Sequence, residues 1–557
     1  MKQFTLVFIS ILLLTAGCKD SSSTDKQTKR DVPFIWENAN LYFLLTDRFN
    51  NGDPANDVNF ERTEETAVLR GFEGGDLKGI TQKIKEGYFT DLGINAIWFS
   101  PVVEQVHGAV NEGTGNTYGF HGYWAKDWTA LEPNFGTEAD LAELVETAHA
   151  HGIRIVLDVV INHTGPVTGK DPLWSDEWVR TEPTCQYKDY ESTVTCTLVD
   201  NLPDVKTEST QEVDIPKVLA EKWATEGRLE QEMNELNAFF DATAYPRTPR
   251  FYFIKWLTDF IRQYGIDGYR IDTAKHTEES VWGDLWKEAE KAFAEWKKAN
   301  PDKVLDENPF YMMGEVYGYG VSGGRWFNFG DRQVDYFNEG FKCLINFELK
   351  GDANGDYESI FSKYDRLLAN ELKGLSTMNY LTSHDDGHPF DKMREKPFES
   401  ATKLLLCPGA TQVYYGDETA RDLDIPGTVG DATLRSFMNW EELAANTERN
   451  GYKIQDVLAH WQKLGQFRTA HPAVGAGRHT MLSESPYIFK REYVDNTYKD
   501  EVIVGLDMAK GIKDVNVAGV FADGTQLKDF YSGQTVTVEN SKVVIDTAYD
   551  ILLLGLE

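Results

Sequence analysis

Between about residues 37 and 470, short apolar runs alternate with amphipathic stretches. The runs at 41–46, 94–100, 153–161, 266–272, 311–316, 343–348, 378–383 and 411–415 read as eight strands. The stretches between them carry apolar residues at helical spacing: Ile80, Ile84, Phe89 and Leu92 share one face, as do Leu141, Leu144, Val145 and Ala148, and Phe253, Leu257, Phe260 and Ile261. Eight strand-then-helix units imply a parallel sheet, and eight is the number that closes into a barrel with its reactive groups at the C-terminal strand ends. The fold class expected is therefore α/β, a (β/α)8 TIM barrel over 37–163 and 246–474. The interval between the third and fourth strands is roughly 110 residues, against about 30 to 60 elsewhere, which is too long for a plain connection. It implies an inserted lobe at 164–245, irregular and overhanging the barrel mouth. After about residue 475 the pattern changes to strands separated by turn signals, at 487–491, 502–506, 515–520, 535–538, 543–545 and 551–554. These predict a C-terminal antiparallel β-sandwich over 475–557.

The first residues belong to targeting. Lys2 precedes an apolar run at 4–14 that is too short to span a bilayer as a mature helix. Leu14-Thr15-Ala16-Gly17-Cys18 resembles a bacterial lipoprotein cleavage box, which implies a signal peptide at 1–18 and Cys18 as an acylated N-terminus; plain secretion is the alternative. Residues 19–36 read as a flexible tether, rich in Lys, Asp, Ser and Thr up to residue 31. The expected location is the bacterial envelope, facing the periplasm or the cell surface, with the membrane reached by lipid alone. Export makes disulfides available to the five cysteines. Cys185 and Cys196 flank a polar loop and could close it, whereas Cys343 and Cys407 sit in apolar runs and read as buried thiols. No zinc spacing occurs.

Charge narrows the partners. Lys+Arg of 56 against Asp+Glu of 89 leaves a net charge of -33, a field that repels polyanions, so nucleic acid is excluded as a first reading. Hydrophobic residues at 41% and charged residues at 26% are an ordinary globular balance, which excludes wholesale disorder.

Three carboxylates stand at the ends of three predicted barrel strands: Asp272 after Gly268-Tyr269-Arg270-Ile271, Glu315 after Met313-Gly314, and Asp385 after Ser383-His384. A barrel brings such positions together. Two carboxyls about 5–5.5 Å apart can divide glycosidic cleavage, one attacking the anomeric carbon and the other protonating the departing oxygen. Arg270, two residues before Asp272 on the same strand face, favours its ionised form. Glu315 is the better acid, since a neighbouring negative charge and partial burial hold its proton.

Asp158-Val159-Val160-Ile161-Asn162-His163, Gly268-Tyr269-Arg270-Ile271-Asp272-Thr273-Ala274-Lys275-His276, Gly314-Glu315-Val316 and Ser383-His384-Asp385 resemble, in order and spacing, the four main motifs of the α-amylase family, glycoside hydrolase family 13. The resemblance runs from about residue 37 to the C-terminus and most resembles bacterial exported α-amylases. It implies Asp272 as nucleophile, Glu315 as acid/base and Asp385 as the group gripping sugar hydroxyls in the transition state, with retention of configuration. It further implies that His163 and His384 hydrogen-bond the sugar, that Arg270 orients Asp272, and that Tyr123, within Gly119-Phe120-His121-Gly122-Tyr123-Trp124, stacks on the reacting ring. Lys275 and His276 resemble the pair on the leaving-group side, favouring α-1,4-glucan hydrolysis. Ser383 departs from the pattern, which commonly has Asn before His-Asp: a serine keeps a hydroxyl and loses the amide fork. Tyr414-Tyr415-Gly416-Asp417-Glu418 and Arg435-Ser436-Phe437-Met438-Asn439-Trp440 resemble later family segments and read as structural.

Calcium has two candidate sites by resemblance. Asn162, Asp204 and the His276 carbonyl resemble the family site that joins lobe to barrel; hard oxygen donors suit calcium, and a plain turn at Pro203-Asp204 is the alternative. Asn51, Asp53, Asn56, Asp57 and Asp76, with the Gly74 carbonyl, resemble the calcium loop of some bacterial amylases and glucanotransferases; an uncomplexed Asn/Asp/Gly turn is the alternative. The resemblance as a whole implies hydrolysis of starch, glycogen or maltodextrins; a monomer is expected, though sequence alone does not fix the oligomeric state. A cyclomaltodextrinase, neopullulanase or glucanotransferase of the same family, or a non-catalytic glycan-binding accessory protein, are the competing readings.

Overall fold

The computed structural model describes residues 32–111 and 113–557; the signal segment, Cys18 and the tether up to residue 31 lie outside the described residues. The eight apolar runs become eight strands: β1 (Asn40–Leu44), β2 (Ala96–Phe99), β3 (Arg154–Val159), β4 (Gly268–Ile271), β5 (Tyr311–Gly314), β6 (Cys343–Asn346), β7 (Ser376–Asn379) and β8 (Ala410–Tyr414). They lie parallel in chain order, and β1 pairs with β8 to close the barrel. Every residue of these strands is buried, as required of parallel strands covered on one face by helices and on the other by the barrel interior. Register positions the chemistry: Arg270 of β4 lies opposite Asp158 of β3 and Met313 of β5. The ladder runs one step further, because Asp272 N–H donates to Val159 O (3.0 Å) and Glu315 N–H to Ile271 O (2.9 Å).

The helix at Glu138–Ala150 opens with a capping box between Thr137 and Asp140 and buries Leu141, Leu144, Val145 and Ala148. The helix at Pro249–Tyr264 starts on Pro249, ends on Gly265 at φ 74°, and buries Phe253, Leu257, Phe260 and Ile261. The first predicted face is interrupted. Ile80 and Ile84 lie on the helix Leu77–Lys85, whereas Phe89 lies on a separate turn, Tyr88–Asp91, because Gly87 adopts φ 81° between them.

The long interval after β3 pairs Val179–Arg180 with Asp204–Val205 and then forms two helices, Lys217–Thr225 and Leu229–Thr243, so it is less irregular than its composition suggests. It docks on the barrel through Trp178, whose ring lies 6.3 Å from that of Phe253, and through Val205 N–H donating to Asn162 O (2.8 Å). Cys185 and Cys196 are bonded, while Cys343 and Cys407 are buried thiols.

The C-terminal strands are β9 (Arg478–Ser483), β10 (Tyr487–Val494), β11 (Lys499–Leu506), β12 (Gly511–Asn516), β13 (Gln526–Asp529), β14 (Thr535–Thr537), β15 (Lys542–Thr547) and β16 (Leu552–Gly555). An antiparallel sheet in the order β9-β10-β11-β16-β13-β14 packs on a second, two-stranded antiparallel sheet of β12 and β15, with Ile503, Leu552 and Leu554 of the first against Val515, Val543 and Ile545 of the second. Among the described residues no helix is long and apolar enough to cross a membrane.

Candidate active site

Arg270 is the centre of the site. Its guanidinium, 1% exposed, donates from Nη1 to Asp272 Oδ1 (2.7 Å) and to both oxygens of Asp158 (3.0 and 3.2 Å), and its Nη2 lies 3.2 Å from Glu315 Oε2. One cation therefore serves three carboxylates on three adjacent strands. Asp158 also accepts from Trp98 Nε1 (2.9 Å) and Tyr123 Oη (2.7 Å). Burial, opposed by Arg270, pushes its carboxyl up to about 7. Glu315 is driven well above the usual carboxylate range, first by burial and then by the charges of Asp272 and Asp385, against the pull of Arg270. Thr273 takes φ 49°, a left-handed conformation that a β-branched residue rarely adopts, and its N–H donates to Glu315 Oε2 (2.8 Å).

Asp385 follows β7 and sits beside His384. Ser383 Oγ donates to Asp385 Oδ1 (2.9 Å) and lies 3.4 Å from His384 Nδ1. Burial works to raise the Asp385 carboxyl, but His384, Arg270 and the Ser383 hydroxyl hold it below its ordinary value. Burial pushes the imidazole of His384 down to about 4, so at neutral pH it is uncharged. The Tyr123 ring lies against it, 5.3 Å between centroids at 18°. The turn that presents Tyr123 needs Gly122, at φ 89°, because a Cβ there would meet Pro101 O at 2.4 Å.

Tyr123, Asp272, His384 and Asp385 line one cleft of about 930 Å³, together with Arg70, Asp431, Arg435 and the lobe segment 198–202. Glu315 joins through Arg270 and the Thr273 amide without lining this cleft. His163 has both ring nitrogens engaged within the protein, Nε2 with Tyr123 O (3.1 Å) and Nδ1 with Asn162 Oδ1 (3.2 Å). Lys275 and His276 lie beside one another at the foot of the disulfide-closed loop, Lys275 partly exposed and His276 buried. Lys275 Nζ donates to Tyr317 O (2.9 Å) and lies 5.3–5.8 Å from the rings of Tyr187, Tyr317 and Phe327. His276 Nδ1 meets Thr193 O (2.9 Å) inside the disulfide-closed loop.

Sequence reasoning left several of these residues without a role. Asp158 opens a motif, and that was its only signal. Arg435 reads as structural, yet it lines the cleft and donates to His384 O (3.0 Å). Thr273 stands inside the motif around Asp272 without drawing notice, and Trp98, Tyr187 and Tyr317 have no local signature. Two carboxyls in one centre, Glu315 holding its proton and Asp272 bonded to a cation, can act as proton donor and nucleophile.

The candidate calcium donors converge to different degrees. Asn162 Nδ2 donates to Asp204 Oδ1 (3.0 Å) and His276 O (2.8 Å), and Arg180 Nε sits 2.9 Å from Asp204 Oδ2, a cation that sequence did not flag. In the 51–57 loop, Asn51 Nδ2 donates to Asp57 Oδ1 (2.9 Å), while the buried Oδ1 atoms of Asn51 and Asn56 have no partner. The Gly74 backbone passes against Asn51 and Asp57. Asp76 instead accepts from the N–H groups of Gly52, Asp53 and Gly79, and Asp53 pairs with Lys78. Among the described residues no group of three or more His, Cys, Asp or Glu side chains is placed to hold a metal. A hard cation in this loop would therefore rest on amide and carbonyl oxygens with one or two carboxylates. The two unpartnered buried amide oxygens fit such an ion.

Residues 43–449 match the model of the α-amylase catalytic domain family. The periplasmic α-amylase of Escherichia coli strain K12 is 37% identical over 541 residues, covering 86% of this chain and 73% of that protein. A cyclomaltodextrin glucanotransferase of Thermoanaerobacterium thermosulfurigenes is 25% identical over 529 residues, covering 89% of this chain and 64% of its own length. The solved α-amylase of Geobacillus thermoleovorans, complexed with acarbose, superposes with a TM-score of 0.63 at 22% identity over 94% of this chain and 99% of that one, a likeness of fold. With barrel, family match and a relative of this identity in agreement, the chain belongs to the α-amylase family of glycoside hydrolases.

Proposed function

We propose that the chain is a retaining endo-hydrolase of α-1,4-glucosidic bonds in starch, glycogen or maltodextrins. The observation that carries this reading is the pair of unlike carboxyls around Arg270, one raised by burial and one bonded to the guanidinium. Asp272 attacks the anomeric carbon as the glycosidic C–O bond breaks, and the Glu315 proton passes to the departing oxygen. Glu315, now ionised, takes a proton from water, whose oxygen displaces Asp272 and restores the original configuration. Asp385 grips ring hydroxyls as the sugar flattens, Tyr123 stacks on the ring, and His384, uncharged, hydrogen-bonds the same sugar. Lys275 and His276 hold the departing half.

Calcium would be held by Asn51, Asn56, Asp57 and the Gly74 carbonyl; at the lobe, the Asn162 amide and the Arg180 guanidinium already occupy the oxygens of Asp204 and the His276 carbonyl, a donor set that does not fit the ion. The ion supplies fixed positive charge that pins loops together. Export and lipid anchoring at Cys18 complete the reading, and the periplasmic relative supports export.

Half-exposed Tyr187 (54%) and Tyr317 (48%) beside Lys275 favour a second reading, transfer to an acceptor sugar bound on the Glu315 side. Product profiles on starch and cyclodextrins separate the two: linear maltodextrins support hydrolysis, and cyclic or elongated products support transfer. Glu315→Gln tests the chemistry itself. Reducing-sugar release should fall about 10²- to 10⁴-fold while maltodextrin still binds, and unchanged release would mean a different acid or a binding protein.

A further inference from the structure

Asp385 is mounted unlike the other two acids. Asp272 and Glu315 share Arg270, whereas among the described residues Asp385 has one hydrogen-bonding side chain, Ser383, whose Oγ donates to Oδ1 at 2.9 Å. His384 Nδ1 is 3.8 Å from the same oxygen, and among the described residues no hydrogen bond reaches Oδ2. Ser383 is itself 8% exposed, and the backbone on either side of it is pinned: Thr382 O accepts from Gln412 Nε2 (3.3 Å) and His384 O from Arg435 Nε (3.0 Å). A single hydroxyl on a pinned backbone thus holds one oxygen of the carboxylate.

We propose that Ser383 is a positioning residue for catalysis, its hydroxyl locking Asp385 Oδ1 so that Oδ2 is presented to the sugar hydroxyls. This rests on the reading of Asp385 given above. The same Oγ lies within 3.4 Å of His384 Nδ1, so it couples the orientations of the two groups that meet the sugar from the β7 side. A hydrogen bond to an ionised group is among the stronger ones in a protein, and this one acts on a carboxylate whose aim matters most when the ring is distorted.

The test measures kcat, KM and pH profiles on maltoheptaose for the parent, Ser383→Ala, Ser383→Thr and Asp385→Asn. Ser383→Ala should lower kcat about ten- to a hundredfold with KM little changed. Its acid limb should move to higher pH, because the lost hydrogen bond favoured the ionised carboxylate. Ser383→Thr, which keeps the hydroxyl, should recover most of the rate. If the alanine form does not fold, Ser383→Cys, near-isosteric with a poor donor, gives the same readout. The proposal is overturned if Ser383→Ala matches the parent while Asp385→Asn is inactive, or if the alanine and threonine forms are equally impaired. An active Asp385→Asn would instead overturn the underlying role of Asp385.

Discussion

Arg270 is the residue whose removal most directly tests how the two carboxyls divide the chemistry. Arg270→Ala leaves Asp158, Asp272 and Glu315, all at least nine-tenths buried as side chains, without their shared cation. Breaking a buried ion pair by deleting one partner costs about 3–5 kcal/mol. If that cost falls on the transition state, kcat/KM drops about 10²- to 10⁴-fold. The pH profile adds a signed prediction. Arg270 pulls the Glu315 carboxyl down against burial, so without it Glu315 keeps its proton to higher pH. The basic limb of the profile, which reports loss of the acid's proton, should therefore move upward. Arg270→Lys restores a charge but not the fork that reaches three carboxylates, so its rate should stay low while its basic limb stays closer to the parent's. The assay is reducing-sugar release from maltoheptaose at pH 4–10, with thermal melts to confirm folding. A folded Arg270→Ala within about threefold of the parent, or a basic limb moved downward, would refute the reasoning.

Two further outcomes follow from the loops around this centre. Chelation should lower the thermal midpoint, and Asn56→Ala, which removes one of the unpartnered buried amide oxygens, should blunt that response; an identical chelator shift in the variant would remove the 51–57 loop as a calcium site. Replacing Cys185 and Cys196 by Ser opens a loop with a sequence separation of 11 and should cost about 2–3 kcal/mol, read by urea melts under non-reducing conditions. Because that loop carries the Thr193 carbonyl that meets His276, a fall in affinity for long maltodextrins should accompany it, and unchanged KM for every chain length would show that the loop does not brace the leaving-group side.

The barrel is legible in the chain because strands buried on both sides are continuous apolar runs, and the candidate site residues are legible because they sit at the ends of those runs. Legibility fails where burial is weak. β9, Arg-His-Thr-Met-Leu-Ser, is an edge strand exposed along most of its length, and β13, Gln-Leu-Lys-Asp, has one apolar residue in four, so neither shows a period to read. The broken helix at Gly87 escapes notice because Phe89 and Leu92 continue the apolar spacing across the break. Within the site, the missing information is the pairing between strands. Nothing near Asp158 in the chain reveals that β3–β4 register will set it against Arg270, and nothing near Asp204 points to Arg180 on the facing strand of the lobe.

That register also decides where the acid's proton resides. Asp158, Asp272 and Glu315 share one guanidinium, and three ionised carboxylates around one buried cation would leave two uncompensated charges, so a proton must sit on one of them. Burial raises both Asp158 and Glu315, which makes them rivals for it. Asp158 accepts hydrogen bonds from Trp98, Tyr123 and Arg270, three donors that favour its ionised form. Among the described residues Glu315 accepts only the Thr273 amide beside its contact with Arg270, and it also feels the charges of Asp272 and Asp385. The rival with more hydrogen-bond donors surrenders the proton, and Glu315 keeps it. On this account Trp98 and Tyr123 help to make Glu315 an acid by making Asp158 a poor one, a division of labour that no spacing of residues along the chain encodes.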